Sequence, residues 1–178
     1  MTDFDNDIAA RADGLYAARS ALAEALPPQR RLGIADIVQF LNDPGRSLSI
    51  EEQRVLFADP RLRADYRRLK TQAAVAQIPM LAAASAGEVT SRRFEGGSLS
   101  IHPSRVPGQV YVRLQFSWPA GSPRSLLIES SSGEIVKRSL PSADPQGDVM
   151  MVLDEKIPSD AGFLRLISDP TSTGTFLL

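Results

Sequence analysis

The side-chain rhythm of the chain changes once, close to Glu88, and that change limits the fold more than any single motif. Before it, apolar residues recur at steps of three, four and seven, the period of a helix with one buried face. From Val89 onward, serine, glycine and proline punctuate stretches of apolar–polar alternation, the period of a half-buried strand. The expectation is an α+β protein with a helical segment of about four helices over 1–88. An antiparallel β-sandwich of immunoglobulin-like type follows over 89–178.

Within the first part, Ile8, Ala12, Leu15, Leu22 and Leu26 make one narrow stripe and predict a helix over 7–26, stopped by Pro27-Pro28. Ile34, Ile37, Val38 and Leu41 give the i, i+3, i+4, i+7 pattern of a second helix over 34–41, closed by Asn42-Asp43-Pro44-Gly45. Ser49 and Glu52 have the spacing of a capping box, which starts a third helix reaching Phe57 or Ala58. Asp59-Pro60 then restarts the chain as N-cap and first helical residue. The last helix puts Leu62, Tyr66, Leu69, Ala73 and Ala76 on one face, and Pro79 ends or kinks it.

In the second part the clearest strand is 109–118, with Val110, Val112, Leu114, Phe116 and Trp118 on one side. Further strands are predicted at 99–101, 125–129, 134–140, 149–153, 163–168 and 173–177. Ser130-Ser131-Ser132-Gly133 reads as a hairpin loop, and Gly96-Gly97-Ser98 as a turn or bulge, since no helix start follows it to cradle a phosphate.

Composition closes off much chemistry. The 178 residues contain no cysteine and one histidine, so disulfides, thiolate nucleophiles, Cys-ligated zinc and multi-histidine metal sites are excluded. Twenty Lys+Arg against 21 Asp+Glu leave a net charge of -1, which argues against a general nucleic-acid binder. Residues 73–86 are alanine-rich but carry Gln77 and Pro79 and fall short of the roughly 20 residues that span a bilayer. The acidic start of the chain is unlike a secretory signal, so a cytoplasmic location without a membrane span is expected.

His102 lies before Pro103 with no nucleophile elbow and no orienting carboxylate in the pattern, so it reads as a turn histidine. Lys70, Lys137 and Lys156 have no serine-dyad context, and the acidic residues near Asp144, Asp148 and Asp154 lack calcium-loop spacing. No catalytic residue, metal or cofactor is therefore assigned, and the chain is not expected to be an enzyme. Arg61, Arg63, Arg67, Arg68 and Lys70 form a basic helix face suited to a solvated surface or to carboxylates of a protein partner.

Two stretches carry a resemblance: Phe40-Leu41-Asn42-Asp43-Pro44-Gly45-Arg46-Ser47-Leu48-Ser49-Ile50-Glu51-Glu52-Gln53, and Ala58-Asp59-Pro60-Arg61-Leu62-Arg63-Ala64-Asp65-Tyr66. With the short helix before them, they resemble the N-terminal domain of bacterial anti-sigma factors. The zinc motif of one branch of that family needs cysteines that this chain lacks, and the usual membrane span has no counterpart. The resemblance implies a cytoplasmic regulator that grips a sigma factor or an operon neighbour through Ile37, Leu41, Leu56 and Leu62. The leading expectation is thus a non-catalytic protein-interaction or regulatory protein, with those four residues and Arg61, Arg63, Arg67 and Arg68 as contacts. An anti-sigma-like transcription regulator is the specialised alternative. A carbohydrate-type ligand-binding β-sandwich is another, although Phe116 and Trp118 share the apolar side of their strand.

Overall fold

A computed structural model describes residues 32–80, 89–117 and 123–178. The expected helix over 7–26 and Trp118 lie outside the described residues, as does the expected boundary at Glu88. Leu32–Leu178 cluster as one compact unit.

Three helices come first: α1 Ile34–Asn42, α2 Ile50–Ala58 and α3 Pro60–Ala73. The capping box of α2 is formed in both directions, with Glu52 N–H donating to Ser49 Oγ at 3.2 Å and Ser49 N–H to Glu52 Oε2 at 2.8 Å. Asp59 caps α3 through the N–H of Arg61, with Pro60 at its first position. Strands β1 Ala74–Ile78, β2 Ser91–Phe94, β3 Gly97–Pro103, β4 Gln109–Phe116, β5 Ser125–Glu129, β6 Ile135–Ser139 and β7 Asp148–Asp154 follow. Helix α4 Pro158–Ser168 then precedes the last strand, β8 Thr173–Leu177. The strands form two antiparallel four-stranded sheets, ordered β1-β8-β5-β6 and β2-β3-β4-β7. The described part is α+β, with one helix embedded among the strands.

Two expectations are corrected. Residues 163–168 are helical, not a strand. Pro158 starts the helix, and Asp160, Phe163, Leu166 and Ile167 bury one side of it at helical spacing. The run Phe163-Leu164-Arg165-Leu166-Ile167 by itself suits either period. The second correction is at 74–78, where the expected continuation of α3 becomes β1. Ile78 packs on Gly174 of β8, where an added Cβ would come within 2.9 Å of the Ile78 side chain. The open edge of β8 takes this segment as a partner, and that pairing overrides the helical preference of its alanines.

The layers explain the burial. Leu126, Ile128 and Phe176 face the β2-β3-β4-β7 sheet and join Leu99, Val112, Leu114 and Phe163 in one core. Phe176 sits between Phe94 and Phe116, with ring centroids 4.9 and 5.2 Å away. Leu127, Ile135 and Leu177 point to the opposite face, where they meet Ile37, Phe40, Leu41, Leu56 and Tyr66 of the helices. The β1-β8-β5-β6 sheet is thus covered on both sides, which is why β5 reads Ser-Leu-Leu-Ile-Glu without alternation.

Candidate functional site

The main hollow of the surface is a groove of about 1230 Å³ that runs along β6. β6 is the last strand of its sheet, so one side of its backbone is unpaired by β5. The register shows which groups are turned outward. Ser130 N–H donates to Glu134 C=O and Leu140 N–H to Arg124 C=O, so residues of even number face β5. Ile135, Lys137 and Ser139 therefore turn their N–H and C=O away from the sheet, into the groove.

One of these three rungs is filled. The side-chain amide of Gln53 on α2 accepts from Ile135 N–H at 3.0 Å and donates to Ile135 C=O at 3.0 Å. A primary amide here satisfies both groups as a neighbouring strand would. Among the described residues nothing pairs with the outward backbone groups of Lys137 and Ser139. The wall on one side is α2 with the loop before it, contributing Leu48, Ile50 and Phe57; the wall on the other is α4, through Pro158, Ser159 and Gly162.

Side chains of β6 hold both walls in place. The Lys137 ammonium donates to the carbonyls of Phe40 and Asp43 at the C-terminal end of α1, where the helix dipole favours a cation, and lies 4.4 Å from the Phe40 ring centroid. Burial draws its pKa from 10.5 down to about 8, with Asp43 opposing the change and Arg46 adding to it. Ser139 Oγ donates to Pro44 C=O at 2.9 Å. On the other wall Arg138 donates to Asp160 at 2.6 Å, and Arg165 pairs with Glu134 at 2.6 Å. Burial opposes ionisation of Asp160, but Arg138 and the N–H of Asp154 outweigh it and hold the carboxyl below its usual range. These ties make the groove a preformed feature of the fold.

Beyond the hairpin end of β6 the groove meets a second hollow of about 410 Å³, and Phe57, Ser132 and Gly133 line both. Tyr66 Oη donates to Glu129 at 2.7 Å, and Lys70 pairs with the same carboxylate. Burial first, and then the Glu129 charge, push the phenol of Tyr66 well above its ordinary value. Arg63 and Arg67 line the same hollow one helical turn apart.

The residues expected from the sequence to touch a partner divide sharply. Ile37, Leu41 and Leu56 are at most 2% exposed and are spent on the chain's own sheet; Leu62 is half-buried against that core. Arg61, Arg67 and Arg68 are exposed and Arg63 is half-buried; Arg68 pairs with Asp65 at 3.0 Å, and Arg63 reaches the Phe57 carbonyl at 3.5 Å. His102 stands on the exposed face of β3 with Ser100 Oγ 3.0 Å from Nε2. Lys156 is exposed on the turn after β7. Gln53, Gly162 and the β6 edge carry the site without having been singled out, because edge status depends on strand order. Only the Pro158-Ser159-Asp160 helix start was there to be read.

Among the described residues, no group of three or more His, Asp or Glu side chains is placed to hold a metal ion, and no helix is long and apolar enough to cross a membrane. Comparison with protein-family models, with curated proteins and with solved structures gives no match to this chain.

Proposed function

We propose that the chain is a non-catalytic interaction protein that takes up an extended segment of a partner along the open edge of β6. The single observation behind this reading is a strand edge with free backbone groups at the floor of a groove walled by two helices. Strand addition draws affinity from main-chain hydrogen bonds and selectivity from alternate side-chain pockets. Lys137 and Ser139 offer two donors and two acceptors in line, and Leu48, Ile50 and Phe57 supply apolar wall. An anti-sigma-like grip through Ile37, Leu41 and Leu56 would compete with the burial of those side chains in the core, so the groove carries the interaction reading instead.

Selection from a library of random peptides displayed with free carboxyl ends tests it. Bound peptides are expected to lose affinity at least about tenfold for Gly162→Trp, which fills the groove, and for Ser139→Pro, which deletes one outward N–H. Proline at an edge position whose N–H faces outward leaves the β5–β6 ladder whole. An added Cβ at Gly162, which lines the groove, meets no atom within 4 Å, so a side chain can start there without a backbone clash. Circular dichroism matching the parent confirms the fold of both variants. Recovery of no binder, or of binders indifferent to both changes, refutes strand addition.

A further inference from the structure

We infer that the segment taken up by β6 is an acidic C-terminal tail of a partner protein, running antiparallel to β6. Its carboxylates would be received by Arg63 and Arg67. This inference rests on the strand-addition reading and adds the chemistry and direction of the occupant.

The charge around the site is lopsided. The chain as a whole has a net charge of -1, yet six cationic side chains and two carboxylates line the two adjoining hollows. Both carboxylates are already engaged, Glu129 with Lys70 and Glu134 with Arg165. Of the cations, Arg54 pairs with Glu51 and Arg138 with Asp160. Lys137 is turned onto backbone carbonyls. Arg63 and Arg67 have no carboxylate at ion-pair distance among the described residues. Two planar guanidinium groups one turn apart present donor forks that match carboxylates in bidentate geometry.

Direction follows from the register. β6 runs from Ile135, next to the hairpin, to Ser139. A strand added antiparallel enters at Ser139, pairs with Ser139 and Lys137, and turns off the edge at the Ile135 rung that Gln53 fills, with its C-terminal residues at the hairpin end of the groove. Gly133 and Phe57 lie just beyond; they pack close to each other, an added Cβ on Gly133 lying 3.7 Å from the Phe57 ring, and both border the groove and the hollow of Arg63 and Arg67. Antiparallel pairing is also the slightly stronger form.

The same selection decides the matter through the composition of the peptides and their response to two sets of variants. The expected binders carry Asp or Glu in their last few residues. They should weaken with rising salt and lose about tenfold in affinity for the double variant Arg63→Gln, Arg67→Gln, measured by fluorescence anisotropy. Replacing the acidic residues of a binder by their amides should cost a similar factor on the parent protein and almost nothing on the double variant. Amidating the terminal carboxyl separates its share from that of the side chains. Neutral or basic binders that still depend on Ser139 and Gly162 overturn the acidic tail and leave strand addition standing. Acidic binders that ignore Ser139→Pro and Gly162→Trp overturn both. Self-association in sedimentation that Gly162→Trp abolishes places a second copy in the groove and overturns the acidic partner.

Discussion

Arg92 is the largest of the fully buried side chains, with only 1% of its surface exposed. One of its terminal nitrogens donates to the carbonyls of Asp169, Pro170 and Ser172, at 3.0, 3.2 and 2.8 Å, and so ties β2 to the turn before β8. Burial lowers its pKa, and Asp169 opposes that change. Replacing Arg92 by alanine leaves three carbonyls without this donor and opens a cavity; the loss should be about 3 kcal/mol or more, read from urea unfolding. Lys137 gives a pH signature of known sign. Between about pH 8 and pH 10.5 the unfolded chain holds a proton that native Lys137 has released, so stability rises with pH through that window. The urea midpoint should increase from about pH 8 to about pH 10, and Lys137→Met should flatten the increase. Tyr66, held protonated above its usual value of 10.0, acts in the opposite sense at higher pH.

At the scale of elements, what the sequence made legible was local chemistry. The capping box of α2, the Asp59-Pro60 start of α3 and the spacing of α1 all rest on residues within two turns of each other. Ser49→Ala should therefore cost about 1 kcal/mol of unfolding free energy. Strands 125–129 and 173–177 were legible for a related reason: turn residues bound the first on both sides and Asp169-Pro170 precede the second. α4 and β1 were not, because a short apolar run and an alanine-rich tail each suit two conformations, and contacts elsewhere choose. α4 also keeps a glycine in its interior with open space beside it. Gly162→Ala should raise stability by about 0.5–1 kcal/mol, seen as a higher thermal midpoint, with peptide binding retained because a methyl leaves most of the groove free.

For the whole molecule, the sheet with two covered faces couples the helices to the strands. Leu127 faces the helical core while Leu126 and Ile128 on either side face the other, so all three contribute to one folding unit. Leu127→Ala should cost about 2–5 kcal/mol, with helical and strand amides losing hydrogen-exchange protection together. A variant that released only the helices would show that the two cores unfold separately.

The caps and the turns are properties of neighbouring residues, so the order of residues alone made the α+β class and most element positions legible. β1 before Glu88 and α4 well after it break the single change of rhythm expected there. Which strand stands at an edge, and which face of a helix is already occupied, depend on residues far apart in the chain. Gln53 and Ile135 are 82 positions apart, and their paired hydrogen bonds arise only once strand order is set. Ile37 and Leu41 therefore went to the interior, and Lys137 and Ser139 were left at an open edge, because long-range pairing fixes burial after local chemistry has fixed the elements.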